Sequence, residues 1–197
     1  MSLAAISNDA FYPSSIEGIR ERLKVATAAD HHALDERLRD FDLSTTAHYR
    51  RFLQASAAAL LPLEAALEQA GVGELFEDWA QRQRAQVIAA DLADINGVCV
   101  PLGLPIQPLD RPAVFGTLYV LEGSRLGAAY LLRVVAASAD PRVRRATRYL
   151  RHGAGQALWC GFLSRLAREP VTADDELRMI VSAREAFAVF AKAMACP

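Results

Sequence analysis

The sequence predicts an all-α protein of roughly seven helices, and three observations carry that expectation. Apolar residues recur at steps of three and four along most of the chain, the spacing of one helix face, and no stretch sustains the alternation of a strand. Capping signatures stand where the periodic stretches begin. The one long break, residues 98–109, contains Pro101, Pro105 and Pro108, which remove backbone donors and fix φ. No internal repeat is visible, and a chain of 197 residues suits a single domain, 1–197.

The elements follow in order. Residues 1–13 end in Phe11-Tyr12-Pro13 and read as irregular. Ser14, with Glu17 three residues on, forms a capping box that opens a helix through about Leu38. Ser44, Thr45 and Thr46 offer N-caps for a second helix, which Gly71 closes. A third helical stretch covers Glu74 to Asp94 and stops at Asn96-Gly97. Asp110 caps a long helix with Pro112 in its first turn, running to about Ser138. Short helices are expected over Pro141–Arg151 and Gly155–Arg168, and Thr172 with Asp175 opens a last helix that runs almost to the C-terminus.

Lys and Arg total 22 against 23 Asp and Glu, so no global field draws the chain to nucleic acid or an anionic membrane. Arg142, Arg144, Arg145, Arg148 and Arg151 cluster locally and read first as a solvated helix face. Cys99, Cys160 and Cys196 have neither CxxC spacing nor an even count, which points to a reducing cytoplasm. No apolar run reaches the ~18 residues of a membrane span, and the opening Met1-Ser2-Leu3-Ala4-Ala5 lacks the basic start of a secretory signal.

On the first helix, Ile16, Ile19, Leu23, Thr27, His31, Leu34 and Leu38 form one stripe, which places His31 on the core-facing side. His32 lies about 100° further round, near Glu36. A neutral imidazole on an apolar wall is either a hydrogen-bonded core histidine or a metal ligand whose other nitrogen an acceptor holds. Asp35, one turn on, is such an acceptor, and Lys24, two turns back, could meet an anionic group of a ligand. Spacing leaves both readings open.

The long helix carries Gly116, Gly123 and Gly127 within Phe115–Ala129, each costing up to ~1 kcal/mol relative to alanine in a helix interior. Gly123 and Gly127 share a face with Tyr119. Such a face admits either a closely packed helix or a flat ligand, and it permits a kink.

Taken together these segments resemble the bacterial haem oxygenases, including the kind associated with bacteriophytochromes. Leu23-Lys24-Val25-Ala26-Thr27-Ala28-Ala29-Asp30-His31 is similar to that family's proximal helix, and Tyr119 through Gly127 to its distal helix. Weaker echoes are Trp79-x2-Arg82 leading to Ala90-Asp91-Leu92, Trp159-x2-Phe162, and Ala186-Phe187. The resemblance implies a haem oxygenase-like helical bundle with haem held between the first helix and the kinked glycine-bearing one. It implies His31 as iron ligand, Asp35 behind it, Lys24 at a propionate, and Thr27, Tyr119, Ser124 and Phe187 around the pocket. Gly123 and Gly127 would form the distal wall, with Arg125 helping to order water there.

The implied reaction opens haem, as both substrate and cofactor, to biliverdin, carbon monoxide and iron, using oxygen and electrons from a reductase or ferredoxin. A biliverdin-accepting photoreceptor is a further implied partner, and the Arg142–Arg151 run a conceivable donor-docking surface. Two departures stand out: the distal helix reads Glu122-Gly123-Ser124 where the animal enzymes place an aspartate, and Gln156–Cys160 is neutral where they place propionate-binding cations. The alternatives are a haem-binding or trafficking protein of the same fold, a thiaminase-like helical enzyme using Cys160, and a helical dimer packed through Gly123 and Gly127.

Overall fold

Reciprocal caps and buried stripes set the helix boundaries in the computed structural model, which describes residues 14–103 and 107–195. The irregular segment expected at 1–13, Pro105 and Cys196 lie outside what is described, as do the side chains of residues 14–17 and with them the Ser14/Glu17 capping box and Ile16. Among the described residues all regular structure is helical: α1 (Ser14–Leu38), α2 (Thr46–Gln69), α3 (Val72–Leu75), α4 (Trp79–Arg82), α5 (Ala85–Asp94), α6 (Arg111–Ala136), α7 (Pro141–Arg145), α8 (Arg148–Arg151), α9 (Leu158–Leu166) and α10 (Ala173–Ala195).

Local chemistry explains most of these limits. Thr45 caps α2 through the amide of His48, and Gly71 follows its end in the left-handed region at φ 72°. Asp110 accepts from the Ala113 amide at 3.0 Å to start α6, with Pro112 in the first turn. At α10 the Asp175 amide donates to Thr172 Oγ1 (3.1 Å), while the Thr172 amide donates to Asp175 Oδ2 (3.0 Å). These satisfy two otherwise orphaned amides.

The expected single stretch Glu74–Asp94 is instead three short helices. Phe76 (φ −135°, ψ 93°) and Gln83 (φ −62°, ψ 137°) are extended and interrupt it. A distant group restarts the chain: buried Glu64 of α2 accepts the amides of Arg84 (2.8 Å) and Ala85 (3.1 Å) with its two oxygens. That carboxylate supplies the N-terminal cap of α5, a pairing twenty residues apart that no local pattern announces.

α10 is the spine. It packs against α6, α1 and α2, and Met179, Ala183, Ala186, Phe187 and Phe190 bury its inner side. Gly116 of α6 meets α10 so closely that an added Cβ would collide with the Met179 carbonyl. The close helix approach that the glycines advertised therefore occurs at Gly116. On the other flank, Arg22 reaches Glu176 (2.6 Å) and Arg184 reaches Asp30 (3.0 Å), which aligns α1 with α10. Phe76, Phe115, Phe162 and Trp159 stack or meet edge to face between α6 and α9, with ring centroids 5.6–6.5 Å apart.

Candidate functional site

The α1 stripe divides at Thr27. Ile19, Leu23 and Thr27 are buried, but the His31 side chain is 62% exposed, so the expectation of a core-facing His31 is corrected. Beyond Thr27, α10 flanks α1 through Asp30–Arg184 and Phe187, and most of the His31 side chain stays exposed. His31 Nδ1 stands 3.1 Å from Asp35 Oδ2, and its ring meets buried Phe187 edge-on at 5.9 Å. Those two contacts fix the imidazole in orientation and leave Nε2 directed to other partners. His32, with 73% of its side chain exposed, lies 3.6 Å from Glu36.

Thr27 and Tyr119 are brought together, close enough for the threonine hydroxyl to act on the tyrosine phenol. Thr27 is itself buried and donates to the Leu23 carbonyl at 2.8 Å, so its hydroxyl is committed to its own helix. Burial pushes the Tyr119 phenol up, offset in part by Thr27 and Arg20. Lys24 is exposed and lies 3.3 Å from Glu21.

On α6, Gly123 and Gly127 differ. A Cβ at Gly123 would touch the Trp159 ring at 3.7 Å, while one at Gly127 would meet nothing within 4 Å. The contact at Gly123 is with a side chain and Gly127 has none, so close backbone packing belongs to Gly116. Leu126 and Tyr130 beside them are exposed apolar residues, 55% and 51% accessible. Trp159 also lies 5.8 Å from Tyr119, making it a member of this surface that the sequence reading placed only as a motif echo.

Two expected site residues are occupied elsewhere. Arg125 faces away from the open surface into a buried ion cluster, which removes it as the organiser of water beside the glycines. Its Nη2 lies 2.9 Å from Glu122 Oε1, and Nη2 also donates to the Arg82 carbonyl at 2.6 Å. Nη1 is 2.9 Å from His152 Nδ1. Arg82, 2% exposed in its side chain, approaches the same Glu122 at 2.9 Å and holds Asp78 at 2.7 Å. Ser124 accepts from Arg84 Nη1 (3.0 Å) and donates to the Leu121 carbonyl (2.7 Å). Burial, then Arg125 and Arg84, push His152 down to about 4.

Most of the Arg142–Arg151 run is also committed locally. Arg142 pairs with Asp140, Arg148 with Asp91 and Asp94, Arg144 donates to the Ser138 and Ala139 carbonyls, and Arg151 donates to Thr147. Cys160 is exposed. Among the described residues, no three His, Cys, Asp or Glu side chains converge as a metal cage, and no helix is long and apolar enough to cross a membrane. His31, oriented by Asp35 and Phe187, is an exposed imidazole of the kind that can ligate a metal already held in its own macrocycle.

Residues 105–195 match the family model described as haem oxygenase. The chain is 31% identical over 121 residues to haem oxygenase PigA of Pseudomonas aeruginosa, a match covering 59% of this chain and 61% of that protein. It therefore spans about three fifths of the length of that curated relative. In structure it is similar to the NO- and CO-bound haem oxygenase of Neisseria meningitidis, with TM-score 0.75, 22% identity and 89% of each chain covered. It is also similar to the haem oxygenase of Leptospira interrogans, with TM-score 0.66, 15% identity, and 90% of this chain and 98% of that one covered. The all-helical fold is that of the haem oxygenases.

Proposed function

With the haem oxygenase fold as premise, we propose that this chain binds haem through His31 Nε2 and opens the ring with oxygen, releasing biliverdin, carbon monoxide and iron. The observation that carries the reading is the placing of His31. It is exposed on α1, with Nδ1 toward Asp35 at 3.1 Å and its ring against Phe187. An acceptor on Nδ1 selects the tautomer whose Nε2 lone pair is free to ligate and raises its basicity. Haem supplies the oxygen-activating chemistry and is itself consumed; the chain binds and orients it.

Gly123 and Gly127 suit the opposite wall because they add no side chain where a small ligand must fit, and Leu126 and Tyr130 give the ring apolar cover. Lys24 would turn from Glu21 to a propionate. That exchange is cheap, because an exposed ion pair is worth about 0–1 kcal/mol. Tyr119, next to Thr27, would add a hydroxyl at the same edge. Electrons would come from a reductase or ferredoxin, with the product passing to an acceptor such as a photoreceptor.

Haem titration with oxygen and a chemical reductant tests the proposal. Loss of the Soret band with growth of biliverdin absorbance is expected, and a stable ferrous–oxygen complex would mark a haem-binding protein without turnover. His31→Ala should abolish the wild-type haem spectrum and His32→Ala should keep it; the reverse pattern sinks the ligand assignment.

A further inference from the structure

The buried cluster around Glu122 joins three parts of the chain: α4, α6 and the turn between α8 and α9. Glu122 takes Arg82 on one oxygen and Arg125 on both. Arg125 then reaches on to the turn, with Nη1 2.9 Å from His152 Nδ1 and 3.4 Å from the His152 carbonyl. The next residue, Gly153, is left-handed at φ 77°, and a Cβ there would press on Leu158 (2.8 Å) and Arg125 Nη1 (3.3 Å). Arg82 Nη1 donates to the Leu158 carbonyl at 3.0 Å, directly before Trp159. The same cluster thus grips both ends of the segment that sets Trp159 against Gly123.

We propose that Arg125 is a positioning residue that latches the 152–158 turn onto α6 through neutral His152, holds Trp159 beside Gly123, and releases when His152 takes a proton. Arg125 is permanently charged and has only donors, so the bond to Nδ1 requires His152 to accept there and carry its proton on Nε2. A second proton turns Nδ1 into a donor facing a cation, and the latch loses its bond and gains repulsion. The charged groups around His152 are Arg125 and Glu122 of α6 and Arg84 before α5, with Arg82 of α4 behind Glu122. Burial, with cations that outnumber the one carboxylate, keeps the imidazole neutral. The consequence for the pocket rests on Gly123 being its wall; the latch itself does not.

The test uses the full chain without haem, in a Trp79→Phe background that leaves Trp159 as the sole indole. Trp79 Nε1 has no partner, so phenylalanine removes no hydrogen bond. As pH falls from about 6.5 to 4, Trp159 emission should shift to the red and its acrylamide quenching rise, while far-UV helicity stays constant. His152→Asn should abolish that step. Arg125→Lys should show the acid-like emission already at neutral pH, because lysine reaches Glu122 but lacks the fork for the turn. A Trp159 signal that is flat with pH, or that changes only together with helicity, overturns the proposal. So does a His152→Asn protein that keeps the step. If the folded wild type fails to bind haem, the proposed function falls and this test is unaffected.

Discussion

His31 Nδ1 and Asp35 Oδ2 lie 3.1 Å apart on successive turns of α1, with the carboxylate side chain 20% exposed and the imidazole 62% exposed. A carboxylate behind a ligating histidine fixes the ring and raises its donor strength, and removing such partners costs about 10- to 100-fold in metal affinity. Asp35→Asn keeps the shape but weakens the acceptor. On the proposed ligation by His31, haem affinity should fall within that range, and the iron–histidine stretch of the ferrous complex should move to lower frequency. An unchanged stretch would show that Asp35 does not act on His31.

Gly116 and Gly127 invite the same substitution with opposite outcomes. Gly116→Ala drives a methyl into the Met179 backbone of α10, which cannot yield as a flexible side chain would. Overpacking of this kind costs about 1–3 kcal/mol, and backbone as the obstacle argues for the upper end. A Tm lower by roughly 5–10 °C is expected for a chain of this size. Gly127→Ala meets no protein atom, so helix propensity should raise stability by about 0.5–1 kcal/mol. If the wall reading is right, that methyl crowds the ligand side, and the spectrum of the haem–CO complex should change in the stabilised protein. Thermal melts of both variants, with CO spectra of the second, check the pair.

Glu122→Gln probes the buried cluster. Removing one charge leaves the Arg125 guanidinium, 9% exposed, without its carboxylate, and Arg82, 2% exposed, with Asp78 alone. Breaking a buried pair by losing one partner costs about 3–5 kcal/mol. Denaturant unfolding should show a loss of that size, whereas Glu21→Gln, at an exposed pair, should cost under ~1 kcal/mol. Equal effects would mean the cluster is not buried as described.

Local signals on the chain were the legible ones. The Thr172/Asp175 box, Asp110 with Pro112, and Gly71 act within four residues, so the letters alone place them. The His31–Asp35 pair is one helical turn and was equally readable. Glu64 with Arg84 and Glu122 with Arg82 join residues twenty and forty apart, and pattern reading has no access to such pairs. Arg125 shows the resulting error. On α6 alone it sits two residues from each flanking glycine and invites a role there, yet Glu122 at i−3 and His152 from another element turn it inward. A signal existed: Glu122 and Arg125 are charges in the middle of a mostly apolar helix, and buried charges require partners.

Acid should weaken the fold through His152. Unfolded, this histidine takes up a proton near its ordinary 6.5; folded, it does so only near about 4, because burial and then Arg125 and Arg84 oppose the charge. Between those values the unfolded chain holds the extra proton, so the His152 contribution to stability falls as pH drops from about 6.5 toward 4 and levels off below. Glu64 and Asp91 work in the other sense. Burial raises their carboxyls, so the folded state binds protons more readily and their contribution improves as pH falls. The wild-type stability curve is therefore a sum of opposed slopes. His152→Asn removes one of them and leaves the carboxylates untouched. The difference between wild-type and variant unfolding free energies should accordingly slope across the interval from 4 to 6.5 and be flat above it. Parallel curves throughout would place His152 in solvent, away from Arg125.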